Sequence, residues 1–72
     1  MISYDYSKLR GRIVEKYGTL DGFAKAIGWS MRTTSLKMNC HVAWKQQDIV
    51  RACEVLDIDL SEITEYFFKL KV

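Results

Sequence analysis

Apolar residues recur at helical spacing in five stretches of this chain, and turn-forming residues separate the stretches. Tyr6, Leu9, Ile13 and Tyr17 follow one another at steps of three and four, with Val14 widening the stripe. This predicts a helix from about Tyr6 to Tyr17. Asp5 is placed to cap it and Gly18 to stop it. Gly11, inside the helix, costs about 1 kcal/mol relative to alanine unless a close backbone approach offsets it. Thr19 predicts the cap of a short second helix, Leu20 to Ile27, with Phe23, Ala24 and Ile27 on its buried side and Asp21 in its first turn.

Gly28 breaks the pattern, Trp29 follows as an apolar anchor, and Ser30 is an N-cap for a third helix from about Met31 to Met38. In that phase Thr34 and Met38 turn inward, Arg32, Ser35 and Leu36 look outward, and Met31 lies on the boundary. Asn39-Cys40-His41 ends this helix, because asparagine tolerates the left-handed conformation. Ile49, Ala52, Cys53 and Leu56 predict a fourth helix over about Gln46 to Leu56. Asp59 and Glu62 form a capping-box variant for a fifth, carrying Leu60, Ile63, Tyr66 and Phe67. Phe68 to Val72 alternate between apolar and basic, and Ile2, Tyr4 and Tyr6 alternate at the start. The two ends therefore pair as short strands, within one chain or between two, or they fray.

Seventy-two residues with no proline, no repeat and no low-complexity segment predict one all-α domain, residues 1–72, built as a compact bundle of about five short helices. Two cysteines and no apolar leader within Met1 to Arg10 predict a reduced, cytoplasmic protein, and no apolar run approaches membrane-spanning length. Charge is unevenly placed. Residues 1–45 carry eight Lys and Arg against three acids, a net +5, whereas residues 46–72 carry three against six, a net −3. A basic first half favours an anionic partner, either phosphate or an acidic protein face, over a chance scatter of surface charge.

The stretch Phe23-Ala24-Lys25-Ala26-Ile27-Gly28-Trp29-Ser30 has the mechanics of a tight corner between helices. Ala24 lets the third helix cross close to the second, Gly28 gives the turn its backbone freedom, and Phe23, Ile27 and Trp29 bury the corner. Here the chain resembles the lambda-repressor-like helix-turn-helix family, with its turn near residues 28–30 and its recognition helix over about 31–38. The stretches Tyr6-Ser7-Lys8-Leu9-Arg10-Gly11-Arg12-Ile13, Arg32-Thr33-Thr34-Ser35-Leu36-Lys37 and Glu65-Tyr66-Phe67-Phe68 are more specific. They are similar to the small Cro-like proteins of temperate phages, most of all antirepressors of the modulator-of-repression kind. That resemblance implies a phage transcription regulator in a lysis–lysogeny switch, acting on the DNA-binding domain of a phage repressor in the bacterial cytoplasm. It implies no enzyme activity, cofactor, metal or small-molecule substrate.

Departures from the family pattern bear on what is bound. Where DNA-binding members begin the second helix with a polar phosphate contact, this chain has Leu20 and then Asp21. Met31 and Leu36 stand where base-reading members commonly place polar side chains, and apolar contacts form no bidentate bond to a base edge. An exposed patch of Met31 and Leu36, flanked by Arg32, Ser35 and Lys37, favours docking to the repressor, with Leu20 and Asn39 also among the expected partner-binding residues. Met31 or Leu36 could instead turn inward, since Thr34 occupies a site where the family prefers a larger aliphatic. Operator binding by the chain alone is the alternative, beside a joint complex with repressor and operator DNA and, as a third reading, a structural interaction module. Operator binding would use Arg32, Thr33, Ser35, Lys37 and Asn39 in the major groove, with Lys25 and Lys45 near phosphates. Cys40 stands where glycine is usual.

The remaining chemistry is sparse. Cys40, His41 and Cys53 do not have zinc-ligand spacing, and a lone histidine has no nucleophile and orienting group with which to form a catalytic set. Trp44, just before the fourth helix, reads as a hydrophobic staple rather than as a platform for a base or partner.

Overall fold

The Asp5 carboxylate accepts the Ser7 N–H at 2.8 Å and the Ser7 hydroxyl as well, so it starts the first helix from one residue farther out than the pattern predicts. A computed structural model of the chain describes residues 3–71; Ile2 and Val72, part of the predicted alternation, lie outside the described residues. Five α-helices follow in order: α1 (Ser7–Tyr17), α2 (Leu20–Ile27), α3 (Met31–Met38), α4 (Gln46–Leu56) and α5 (Ile63–Phe67), the last preceded by a single 3-10 turn at Leu60–Glu62. The fold is all-α, as the periodicity implies.

Helix α1 buries Leu9 and Ile13 against the core, while Val14 projects into solvent and does not widen the stripe. One residue of advance rotates a side chain by about 100°, which carries Val14 past the helices covering Leu9 and Ile13. Gly11 has open space where a Cβ would stand, so no close approach offsets its cost. Gly22 was not distinguished by the pattern, yet a Cβ there would come within 2.9 Å of the Tyr17 carbonyl oxygen. It lets α2 begin tight against the end of α1, where the Thr19 hydroxyl caps the Gly22 N–H at 3.1 Å.

The α2–α3 corner is closed by Gly28 at φ +85°, a left-handed conformation that glycine adopts without penalty. The Gly28 and Trp29 N–H groups both donate to the Ala24 carbonyl at 2.9 Å. Ser30 caps α3 through the Thr33 N–H at 3.1 Å. Past α3 the left-handed residue is Cys40, at φ +62°, and not Asn39, at φ −101°. The position where glycine is usual thus carries the conformation glycine favours. The chain then folds back, and the Leu36 carbonyl accepts the His41 and Val42 N–H groups at 2.8 and 3.2 Å.

Helix α4 is held at its last turn by side chains of α1. The Tyr17 hydroxyl donates to the Val55 carbonyl at 2.6 Å, Arg12 Nε and Nη2 donate to Leu56 and Asp57 carbonyls at 2.8 and 3.1 Å, and Lys16 pairs with the Asp57 carboxylate. Cations and donors at a helix C-terminus satisfy free carbonyls and oppose the negative end of its dipole. The predicted Asp59–Glu62 box is replaced by a shorter turn in which Asp59 accepts the Ser61 N–H at 3.0 Å; Leu60, expected on the buried stripe, is 60% exposed. The ends pair within the chain. Asp5 N–H donates to Lys69 at 2.7 Å and Lys71 N–H to Ser3 at 3.0 Å, around an antiparallel Tyr4–Leu70 bridge.

The core gathers Leu9, Ile13, Phe23, Ile27, Met38, Ala52, Leu56 and Phe67. Trp44 packs on its edge, with ring centroids 5.1 to 6.2 Å from those of Phe67, Trp29 and Tyr6, and its indole N–H donates to the Lys37 carbonyl at 3.1 Å. Its place is that of a packing residue linking α3, α4 and α5.

Candidate partner-binding face

Ser30 sets the phase of α3, and that phase decides which side chains face outward. Thr34 and Met38 are buried. The Thr34 hydroxyl donates to the Ser30 carbonyl at 2.9 Å, which is how a polar residue is tolerated where an aliphatic is expected. Met31 is 41% exposed, and the exposed Arg32 side chain makes neither an ion pair nor a hydrogen bond among the described residues. Asn39, also exposed, accepts from Arg10 at 3.2 Å, which joins the N-terminal part of α1 to the end of α3.

Three of the expected face residues are less prominent than predicted. Leu20 is half-buried and packs against the core, and Ser35 and Leu36 are half-buried. The returning segment after Cys40 bonds to the Leu36 carbonyl, which brings it beside that residue. Of the six expected face residues, Met31, Arg32 and Asn39 are thus exposed, and Leu20, Ser35 and Leu36 are half-buried.

The residues expected to serve DNA are dispersed or occupied. Lys37, expected in a major groove, is instead buried at 6% exposure. Its ammonium donates to Asp48 at 2.8 Å and to the Ala43 carbonyl at 3.3 Å, and lies 5.1 Å from the Trp29 ring centroid. Burial pushes the Asp48 carboxyl up, but the Lys37 hydrogen bond, the Lys45 N–H and both lysine charges outweigh it and hold the group below the usual carboxylate range. Lys25 pairs with Asp21 at 3.1 Å, Thr33 is half-buried against the Ser30 hydroxyl, and Lys45 is exposed at the start of α4. The pattern of apolar residues misses the Lys37–Asp48 pair because an ion pair buries two residues that hydropathy assigns to solvent. The readable signal is Asp48 at the third position of α4, where it also accepts the Lys45 N–H at 2.9 Å.

Both cysteines are free thiols, Cys53 in the core and Cys40 half-buried. Among the described residues no cluster of three metal-ligating side chains forms, and no helix is long and apolar enough to cross a membrane.

No curated protein sequence matches the chain. Among solved structures, the chain is similar to the solution structure of the modulator of repression (MOR) of the temperate bacteriophage TP901-1 from Lactococcus lactis. The identity is 52% and the TM-score 0.84, over 92% of this chain and 89% of that one. The family described as "Protein of unknown function (DUF739)" matches residues 2–70. With nearly its whole length matched, this chain belongs to the DUF739 family.

Proposed function

We propose that this chain is a phage antirepressor that binds the DNA-binding domain of its cognate repressor in the bacterial cytoplasm and so tips a lysis–lysogeny switch. The observation that carries this reading is the 52% identity with a protein described as a phage modulator of repression. In this reading α2, the Gly28 turn and α3 form a helix-turn-helix unit within a single domain, and its outer face meets protein. Met31 is an exposed apolar anchor, and Arg32 beside it is a cation without a partner among the described residues, suited to a carboxylate on the repressor.

Operator binding by the chain alone is supported less well. Asp21 sits at the α2 N-terminus, where a phosphate would otherwise be received, and it neutralises Lys25; Lys37 is withdrawn into the interior. Mobility shifts of operator DNA with this protein alone, the repressor alone and both together separate the readings. The antirepressor reading expects weak, salt-sensitive binding by the protein alone and release or remodelling of the repressor complex when both are present. Tight, salt-tolerant discrimination of the operator by this protein alone would overturn it.

A further inference from the structure

Helix α3 carries most of the candidate face, yet among the described helices it packs closely along α2 only. A second hold on it is polar. The Lys37 ammonium has three N–H donors and meets three partners from three other segments. They are the Asp48 carboxylate of α4 at 2.8 Å, the Ala43 carbonyl of the returning segment at 3.3 Å, and the Trp29 ring, whose centroid is 5.1 Å away. Trp29 precedes α3 and Asp48 follows it, so one side chain near the end of the helix reaches both flanks.

Helix α4 also reaches α2. Arg51, three residues after Asp48 and so its neighbour on the surface of α4, donates from Nε to the Ile27 carbonyl at 2.9 Å. Ile27 is the last residue of α2, just before the Gly28 turn. Two side chains about one turn apart on α4 therefore hold α2 and α3, one each.

We infer that Asp48 and Arg51 are positioning residues: they fix α3 against α2 and so set the geometry of the face that carries Met31, Arg32 and Asn39, without belonging to it. This rests on the proposed use of that face to bind a repressor. The directionality of the contacts carries the inference. An ion pair and a hydrogen bond each hold one distance and one line of approach. Apolar side chains of similar volume fill the same space, but a core repacked in that way loses uniqueness before it loses stability.

Lys37→Met with Asp48→Leu, and separately Arg51→Met, keep most of the volume and remove the directional contacts. For each variant the thermal melt, the amide exchange of the free chain and the affinity for the repressor's DNA-binding domain are measured. The melts are expected to stay close to wild type. Amide exchange should quicken at least about tenfold, along α3 in the double variant and at Gly28 and Trp29 in Arg51→Met, with α1 unchanged. Affinity should fall at least about tenfold although every face residue is intact. A double variant with wild-type melt, exchange and affinity overturns the inference, because the pair then serves stability alone. If the double variant does not fold, Arg51→Met, at an exposed position, decides by the same readouts. Where the wild-type chain binds the repressor domain, faster exchange without loss of affinity, or the reverse, also overturns it. A wild-type chain that binds no repressor domain sinks the antirepressor reading instead, and amide exchange alone then judges the positioning.

Discussion

Lys37 of α3 and Asp48 of α4 form an ion pair at 2.8 Å, with only 8% and 14% of their side chains exposed. The pair ties the end of the outward-facing helix to the start of α4, beneath the Trp29 ring. Removing one partner strands a charge in a dry place, which typically costs about 3–5 kcal/mol, whereas replacing both by apolar groups of similar volume is often neutral. Lys37→Met alone should therefore unfold or nearly unfold the domain, and Lys37→Met with Asp48→Leu should recover most of the melting temperature. Equal melts for the single and double variants would show that the pair contributes nothing specific.

The same pair sets an acid limit. Asp48 has a lower pKa folded than unfolded, so its stabilisation is complete above the unfolded carboxylate value and fades as pH falls through the folded one. Asp48→Asn should flatten the acid limb of stability against pH while lowering stability at neutral pH. An acid limb unchanged in the variant would assign acid unfolding to other carboxylates.

Gly11→Ala should stabilise the domain. The added methyl meets nothing within 4 Å, and alanine gains about 1 kcal/mol over glycine inside a helix. In a domain of this size that corresponds to about 4–8 °C in melting temperature. A lower melt would mean that the chain leaves helical geometry at this position.

Arg12 and Tyr17 close the end of α4 from α1. Tyr17→Phe removes one hydrogen bond at constant shape and should cost about 1 kcal/mol. Arg12→Met removes two bonds to helix-terminal carbonyls and should cost about 1–2 kcal/mol. Faster amide exchange confined to the last turn of α4 would accompany both; unchanged exchange there would contradict the capping role.

At the candidate face Met31→Asp is the cleaner probe, because Met31 is exposed whereas Leu36 is half-buried. Met31→Asp should keep the melt and abolish capture of the repressor's DNA-binding domain. Arg32→Ala should weaken capture about tenfold, or about 1.4 kcal/mol, through loss of one charge-assisted contact. Full binding by Met31→Asp would move the contact elsewhere on the surface.

Helix order and the caps at Thr19 and Ser30 follow from this sequence because they are local. A Ser30 hydroxyl reaches its own helix's N–H, and Gly28 relaxes its own φ, whatever the rest of the chain does. The buried stripes at Leu9 and Ile13, at Phe23 and Ile27, and at Ala52 and Leu56 are likewise periodic and legible. Residues whose environment depends on distant segments are not. Lys37 reads as a solvated recognition-helix lysine until α4 brings Asp48 to it, and Leu36, which reads as outward, is half-buried. Val14 and Leu60 are apolar, but no element comes to cover them, and the pairing of Tyr4 with Leu70 joins the two ends of the chain. Local pattern places the five helices and marks most of their buried residues. Which charges are neutralised and which apolar side chains stay uncovered depends on the packing of the whole chain, because electrostatic pairing and burial need the approach of groups far apart in sequence.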